Sequence, residues 1–247
     1  MRPAWASGGV AAVMTTRNGG VSQPPFDSFN LRAGLGDDPQ AVADHHAMLQ
    51  ACMGARPVWI EQVHGARVVH LQAEDAEPGA PVHRADASIS SVAGVACMVQ
   101  VADCLPVLFS AAGRAVAAAH AGWRGLSSGI LFATARAVAQ AGDCPIDEVE
   151  AWLGPCIGPA RFEVGADVVQ AFGCDSAFGL HRFVERGAAH PGKWLADLPG
   201  LAEDCLRAVG IVQIQAVRRC TVEDGSRFFS YRRDRITGRM AAGIWLV

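Results

Sequence analysis

Short runs of β-branched and small apolar residues recur along the chain, and their length is typical of buried strands. The clearest runs are Ala87–Ser90, Val95–Val101, Val107–Ser110, Arg114–Ala119 and Val149–Leu153. Less uniform runs predict further strands at Val10–Thr16, Pro57–Val63, Ala66–Gln72, Ile211–Val217, Phe228–Tyr231 and Met240–Trp245. The pattern therefore predicts a protein in which strands make up most of the core.

Four other segments carry apolar residues at the three- and four-residue spacing of an amphipathic helix. They are Gln40–Met53, Gly125–Ala141, Val164–Phe172 and Leu198–Val209. Strands and helices are mixed without a strict βαβ alternation, and no linker or internal repeat interrupts residues 1–247. We therefore expect a single domain of the α+β class with mixed sheets.

Composition narrows the function classes. The chain of 247 residues is 51% apolar and 18% charged, with a formal net charge of −3, which does not favour nucleic-acid binding. The longest apolar run, Val92–Phe109, contains Asp103 and Pro106, so no membrane span is predicted. The eight cysteines include no C-x-x-C pair, and the first residues lack an apolar signal-like core. We expect a cytoplasmic protein with reduced thiols.

Three side chains that ligate metals stand at the ends of predicted strands: His64, Cys104 and His120. One cysteine and two histidines are a ligand set of zinc sites that keep one coordination position open. Asp103, beside Cys104, could accept hydrogen bonds near such a site or act as a base. Spacing alone leaves the ordinary alternatives open, since a lone buried cysteine is often inert and a lone histidine is often only hydrogen-bonded.

A series of motifs extends in order from Thr15 to the C-terminal region. The motifs are Thr15–Ser22, Asn30–Leu31, Gly36–Pro39, Gln62–Gly65, Ala102–Pro106, His120–Gly125, Gly154–Pro159 and Phe229–Arg239. Together they closely resemble the YfiH-type family, long labelled multicopper polyphenol oxidases or laccase-domain proteins. One departure is Arg219-Cys220-Thr221, where the family often has Thr-Cys-Thr.

The resemblance implies a four-layer α/β/β/α sandwich, shared with cysteine-hydrolase-like toxin domains. It implies a zinc ion on His64, Cys104 and His120. Copper could occupy such a Cys/His site in vitro, because divalent copper binds more tightly than zinc in the affinity order. It also implies that the protein is an enzyme acting on purine nucleosides and phosphate. The expected activities are phosphorolysis of adenosine, inosine and 5′-methylthioadenosine, together with adenosine deamination.

For deamination, a zinc-polarised water would attack purine C6. Cys104, Arg17 and Asp103 are the expected catalytic residues. Phosphorolysis also requires an anion site. Arg17, in a glycine-rich turn, and Arg124, before a helix start, are the candidates for it. Ser22 and Asn30 could add hydrogen bonds. The expected partners are small molecules, with neither nucleic acid nor membrane, and the oligomeric state stays open, a monomer included.

Three alternatives remain open. Cys104 could be the nucleophile of a cysteine hydrolase, with His120 or His64 as its base. Copper-dependent phenol oxidation is less favoured, because a four-copper oxidase uses His-x-His pairs and this chain has none. A non-enzymatic cell-wall or division accessory protein would use the metal structurally, with a fourth ligand such as Cys156.

Overall fold

The computed structural model describes residues 1, 3–173 and 180–247, and the strands of this part form three sheets. Strands and helices are numbered in chain order. The four-stranded sheet has the order β1 (Val10–Met14), β13 (Met240–Leu246), β5 (Val95–Val101), β2 (Arg56–Val58). The six-stranded sheet has the order β12 (Gln213–Ala216), β8 (Val149–Leu153), β6 (Leu105–Ala111), β7 (Ala115–Ala121), β4 (Ala87–Ser90), β3 (Val68–His70). The small third sheet has the order β10 (Phe183–Glu185), β11 (Lys193–Ala196), β9 (Glu163–Gly165).

Both larger sheets are mixed. Strand β2 is parallel to β5, whereas β13 is antiparallel to β5 and to β1. In the six-stranded sheet, the two edge strands β12 and β3 are parallel to β8 and β4, and the inner pairs are antiparallel. This confirms the predicted mixed sheets.

Side-chain alternation in the strands builds the core between the two larger sheets. In β5, Val95, Cys97, Val99 and Val101 pack together with residues of the six-stranded sheet, while Ala96 and Met98 belong to a separate cluster on the opposite face. Since successive side chains of a strand point to opposite faces, each sheet has one face toward the other sheet and one toward helices. The two sheets are therefore stacked face to face.

Helices cover the two outer faces. The helices of the described ranges are α1 (Pro39–Met53), α2 (Trp123–Ser127), α3 (Ile130–Ala141), α4 (Ala166–Gly173), α5 (Leu198–Val209) and α6 (Tyr231–Asp234). The four-residue α6 has no buried residue and contributes to neither helix-packed core cluster. Helix α1 packs through Leu49 and Met53 against the four-stranded sheet. Helices α3 and α5 pack on the outer face of the six-stranded sheet. The resulting order is helix, sheet, sheet, helices, which is the expected α/β/β/α sandwich.

Local sequence signals account for some helix boundaries and miss others. Helix α1 is capped by the Asp38 carboxylate and ends at Gly54 in the left-handed conformation, as its boundary residues predict. The segment predicted as one helix over Gly125–Ala141 belongs to two helices, because Gly129, the N-cap residue of α3, has a φ of 87° and separates α3 from α2. The strand predicted at Phe228–Tyr231 is wrong, since this segment is a loop that leads into α6.

Within the described ranges, none of the helices has the length and apolar character that crossing a membrane requires.

Candidate metal centre and its cavity

The three predicted metal ligands meet at one end of the space between the two sheets. Side chains at every second position of β7 point to the same face of the sheet. His120 therefore shares its face with Val116 and Ala118, whose side chains lie in the core between the sheets. Cys104 immediately precedes β6, whose Pro106 is paired with His120. His64 lies in the turn between β2 and β3. The strand pairing therefore brings together residues that are far apart in the sequence.

The nitrogen and sulfur donor atoms of His64, Cys104 and His120 all lie within 4.8 Å of one another. The two imidazole rings are nearly perpendicular, with centroids 4.8 Å apart. His120 is buried, Cys104 is partly buried and His64 is exposed. Two imidazoles and one thiol are a donor set suited to zinc, and the exposed side leaves room for a further ligand. The described residues place Cys156 outside this group of donors.

Asp86 connects the two histidines without joining the donor group. Its side chain is fully buried, and Oδ1 accepts hydrogen bonds from His120 Nδ1 (2.9 Å) and from the backbone N–H of His64 (2.9 Å). Oδ2 accepts from the backbone N–H groups of Val63 (3.1 Å) and Gly65 (2.6 Å). With Nδ1 held by Asp86, Nε2 of His120 is the atom directed to the donor group. A carboxylate in this position fixes the ring and strengthens the histidine as a ligand.

The turn that carries His64 has a strained backbone. His64 adopts a φ of 60°, which is uncommon for a residue other than glycine. The same conformation allows three successive N–H groups, of Val63, His64 and Gly65, to donate to the single carboxylate of Asp86. These three hydrogen bonds offset the strain and fix the histidine at the mouth of the site.

Cys104 and His120 form a mutually stabilised ion pair. Burial opposes ionisation of the Cys104 thiol, but the charge of His120 and hydrogen bonds with His120 and His64 outweigh it and lower the pKa to about 6. Burial likewise opposes protonation of His120, yet the charge of Cys104 and the hydrogen bond to Asp86 raise its pKa to about 9. The site therefore favours a thiolate, which is the form of cysteine that binds metals and attacks electrophiles.

Gly122 forms a floor beneath the three donors. A Cβ atom at this position would lie 3.0 Å from Cys104 Sγ and 3.2 Å from His64 Cδ2. The absence of a side chain thus keeps open the space on which the donor atoms converge.

Asp103 is tied to two segments that surround the site. Its Oδ1 accepts from the Thr221 hydroxyl (2.5 Å), and its Oδ2 accepts from the backbone N–H of Arg232 (2.6 Å). Its φ of 96° is a second strained position beside a candidate ligand. The carboxylate lines the cavity next to Cys104 and also joins distant loops to the β5–β6 turn.

Two adjoining cavities open on the donor group, and they share His64, Ala102, Cys104 and Tyr231. We call the first, of about 250 Å³, the aromatic lobe; its remaining lining residues are Asp103, Gly122, Trp123, Arg124, Ile157, Phe162, Leu198 and Arg232. We call the second, of about 420 Å³, the arginine lobe; its remaining lining residues are Arg32, Leu35, Gln62, Gln100, Val101, His120 and Arg239. Together the lobes have the size of a small-molecule site.

The predicted anion-binding residues are not brought together. Arg124 lines the aromatic lobe, with its guanidinium carbon 4.3 Å from the centroid of the Trp123 ring. Arg17 instead forms an ion pair with Asp27 (3.0 Å) and lines neither lobe. Ser22 donates to the carboxylate of Asp37 (2.7 Å). The structure thus gives Arg17 and Ser22 protein partners, and their proposed contacts with phosphate stay predictions.

Asn30 lies beneath the arginine lobe. Its Oδ1 accepts from the backbone N–H groups of Arg32 (3.0 Å) and Arg239 (2.9 Å), and its side chain is fully buried. Asn30 therefore acts on the cavity through the two arginines that it positions.

Sequence reasoning missed Asp86 and the two arginines of the arginine lobe. Asp86 is separated from His64 and His120 by 22 and 34 residues, so no local motif connects them. The available signal was an acidic residue directly before a strand whose four residues are all buried. Arg239 closes the last of the ordered motifs, and Arg32 directly follows the Asn30–Leu31 motif.

The fold and the site define a protein with two stacked mixed sheets and a His–Cys–His candidate metal centre at one end of the stack. The model of the family described as multi-copper polyphenol oxidoreductase laccase matches residues 11–247. The chain belongs to this family, which confirms the resemblance to laccase-domain, YfiH-type proteins.

Two relatives are similar over nearly their whole length. Purine nucleoside phosphorylase PA4543 of Pseudomonas aeruginosa is 47% identical over 248 residues, which cover 100% of this chain and 98% of the relative. Purine nucleoside phosphorylase YfiH of Escherichia coli strain K12 is 49% identical over 242 residues, which cover 97% and 95%.

Solved structures are equally similar in fold. The crystal structure of Neisseria meningitidis protein NMB0706 has a TM-score of 0.90 at 44% identity, and the match covers 100% of this chain and 98% of that one. The crystal structure of YlmD from Geobacillus stearothermophilus has a TM-score of 0.88 at 31% identity, with coverage of 97% and 92%.

Proposed function

We propose that this protein is a zinc-dependent purine nucleoside phosphorylase that acts on adenosine, inosine and 5′-methylthioadenosine and also deaminates adenosine. The observation that carries the proposal is the grouping of His64, Cys104 and His120 between an aromatic and a cationic cavity. The full-length similarity to proteins named purine nucleoside phosphorylase supports it.

The donor set and its surroundings fit a zinc ion. Cys104 supplies a thiolate, His120 presents Nε2 because Asp86 holds Nδ1, and Gly122 leaves the convergence point free. When bound by these three residues, zinc would supply Lewis-acid polarisation of an oxygen at the substrate or of a water molecule. Copper would fit the same donors by affinity order, so the donor set alone does not select the metal.

The aromatic lobe is suited to the purine. The Trp123 ring lies at its wall with Phe162, and the exposed Arg124 stacks on Trp123. A flat heterocycle can stack on such rings, and polar groups at the edge can set its orientation. We place the base of the nucleoside in this lobe and the sugar next to His64 and Cys104.

Phosphorolysis exchanges one bond at the sugar for another. A phosphate oxygen forms a bond to C1′ of the ribose, the bond between C1′ and the base nitrogen breaks, and its electron pair leaves with the base. The base therefore develops negative charge as it departs. Arg124 and Arg232 at the wall of the aromatic lobe would stabilise this charge electrostatically, and a proton from solvent completes the free base.

The direct test is product analysis with purified protein, adenosine and inorganic phosphate. Adenine with ribose 1-phosphate is expected from phosphorolysis, and inosine from deamination. Protein that contains one zinc per chain and forms none of these products would refute the proposal. Oxygen consumption with phenols that rises with copper content would instead favour oxidation.

A Cys104→Ala variant tests whether the donor group holds the metal used in catalysis. We expect loss of bound zinc and of phosphorolysis, because two imidazoles alone are a much poorer site. Cys52→Ala is the matched control, since Cys52 is exposed and lies outside the group of donors. Metal content by elemental analysis and product formation are measured on the same samples. Full activity in Cys104→Ala would remove the metal site from the mechanism.

A cysteine nucleophile is the second candidate function, and one observation favours it. His120 is hydrogen-bonded to Cys104 on one side and to Asp86 on the other, which is the arrangement of a nucleophile, a base and a carboxylate that orients the base. The pKa of Cys104 is lowered to about 6. This function predicts hydrolytic activity that survives a chelator and is lost on alkylation of Cys104. Activity that a chelator removes and zinc restores excludes it.

A further inference from the structure

The arginine lobe contains two guanidinium groups that meet only neutral acceptors. Arg32 Nη1 donates to Oε1 of Gln100 (3.2 Å). Arg239 Nη1 donates to the carbonyl oxygens of Thr237 (2.8 Å) and Gly238 (3.0 Å). Neither arginine forms an ion pair with any residue in the described ranges 1, 3–173 and 180–247. Some other arginines are paired with carboxylates, as Arg182 is with Asp197 and Asp204.

These two cations lie close enough to repel each other. Burial lowers the pKa of Arg239 from its ordinary value, and the positive charge of Arg32 lowers it further. Two like charges that are partly withdrawn from water destabilise a site unless an anion neutralises them. The negative charges of Cys104 and Asp103 oppose this lowering only in part, and no described carboxylate forms an ion pair with either arginine, so both guanidinium groups remain available to an anion.

The fold holds the two arginines in place. The buried Asn30 side chain accepts one hydrogen bond from each of their backbone N–H groups, and its Nδ2 donates to the carbonyl of Arg32 (3.0 Å) and to Asp37 (2.9 Å). The backbone N–H of Leu31 also donates to the carbonyl of Arg239 (3.1 Å). Because segments from opposite ends of the chain are fastened to one buried amide, the positive pair is a built feature of the cavity.

The two lobes differ in polarity, and this difference indicates which part of a ligand each lobe could bind. The aromatic lobe combines the Asp103 carboxylate with the guanidinium groups of Arg124 and Arg232, so its charges are mixed. The described lining of the arginine lobe contains no carboxylate and instead offers two guanidinium forks with Gln62, Gln100 and the exposed Tyr231. Guanidinium groups match the oxygen spacing of phosphate and bind it through paired hydrogen bonds.

We propose that Arg32 and Arg239 bind a phosphate group in the arginine lobe, across the donor group from the base. The ligand is inorganic phosphate as the substrate or a sugar phosphate as the product. This inference rests on the proposed phosphorylase function and deepens it, because it assigns the second substrate to residues other than Arg17 and Arg124.

The test compares Arg32→Gln, Arg239→Gln and Arg136→Gln in metal-loaded protein. Arg136 is an exposed arginine of α3, on the outer face of the six-stranded sheet, and serves as the control. Inorganic phosphate and ribose 1-phosphate are each titrated calorimetrically without nucleoside, and steady-state KM values for phosphate and adenosine are measured separately. We expect phosphate affinity to fall about 10- to 100-fold in the first two variants, with the adenosine KM and zinc content unchanged. The control should match the wild type.

Arg32→Gln is the decisive variant, because Arg239 also donates to two backbone carbonyls and its loss could disturb the loop. The binding arm is independent of turnover, so a protein without phosphorolysis can still show arginine-dependent phosphate binding. Loss of affinity for either phosphate ligand in Arg32→Gln supports the site. A wild type that binds neither ligand, or an Arg32→Gln variant with unchanged phosphate affinity and KM, overturns it. In the latter case an active enzyme would keep the proposed function and lose only this assignment.

Discussion

Asp86 shows how a single buried side chain can organise a site to which it contributes no donor atom. It fixes the ring of His120 and the strained backbone of His64 through separate hydrogen bonds. Removing its charge would loosen two of the three donors at once. We therefore expect substitution of Asp86 to weaken metal binding strongly, although Asp86 itself supplies no donor atom.

We predict that Asp86→Asn weakens zinc binding about 10- to 100-fold, because outer carboxylates of metal-binding histidines have effects of this size. Chelator competition measures the affinity. Asp75→Asn is the matched control, since Asp75 is hydrogen-bonded to His83 (2.6 Å), a carboxylate–histidine pair that lies outside the donor group. Equal zinc affinity in the two variants would contradict the role given to Asp86.

The structure brings His64, Cys104 and His120 together, as the sequence motifs predicted, and their binding of a metal stays a prediction. Spacing alone left other roles open for each of them, and the specific motifs around them decided the selection. Arg17 shows the limit of this reasoning. Its glycine-rich turn indicated an anion site, but the side chain is paired with Asp27 and stacks over the Phe229 ring at 4.8 Å. The ion-pair partner of a charged side chain depends on tertiary contacts, which the local sequence does not reveal.

At the scale of elements, apolar runs bounded by turns predicted strands well. Strand β5 has the predicted limits, Val95–Val101, because both of its faces are buried and the run is uniform. Phe228 and Phe229 were misassigned because they are fully buried in a loop, where packing and not strand pairing explains their apolar character. The pattern of apolar residues indicates which segments are buried, but it does not distinguish a buried loop from a strand.

The junction between β7 and α2 is the element boundary on which the donor group depends. Gly122 is the N-cap residue directly before α2 and lies against Cys104 and His64. We predict that Gly122→Ala lowers zinc affinity and phosphorolysis at least about tenfold, since its Cβ must displace donor side chains from a well-packed position. Gly8→Ala is the control, because a Cβ there would meet nothing within 4 Å. Wild-type zinc affinity in Gly122→Ala would show that this glycine has no part in shaping the site.

At the scale of the whole molecule, the N-terminal segment is fastened to the six-stranded sheet by one acid. Glu150 in β8 accepts hydrogen bonds from the backbone N–H groups of Ala6 (2.7 Å) and Ser7 (2.9 Å) and from the Ser7 hydroxyl (2.7 Å). Burial opposes ionisation of Glu150, but these hydrogen bonds outweigh it and lower its pKa below the ordinary value. A lowered pKa in the folded state stabilises the protein above the pKa of the unfolded chain, and the contribution is lost as the pH falls.

We predict that Glu150→Gln lowers the free energy of unfolding by about 1.5–3 kcal/mol at neutral pH, the range for hydrogen bonds to a charged group. The difference from the wild type should shrink as the pH falls below the ordinary pKa of a glutamate and through the lowered pKa of Glu150, because the wild-type carboxylate then becomes protonated. Urea unfolding at several pH values measures it. Glu148→Gln, an exposed neighbour, should show little change. A difference between Glu150→Gln and the wild type that grows toward acid pH would contradict the assignment.

The overall architecture follows from the layered pattern of apolar residues, whereas the cavity beside the three donor residues follows from how the layers stack. The two lobes are assembled from the β5–β6 turn, the β7–α2 junction and loops at both ends of the chain. No single stretch of sequence contains them, which is why the cavity could not be predicted from spacing.

We expect that zinc held by His64, Cys104 and His120 is required for phosphorolysis. The measurement that tests this is the rate of adenine and ribose 1-phosphate formation as metal-free protein is titrated with zinc. We predict a rate that rises in proportion to added zinc and stops rising at one equivalent per chain. A rate that is already maximal in the metal-free protein, or absent at full zinc occupancy, would contradict it.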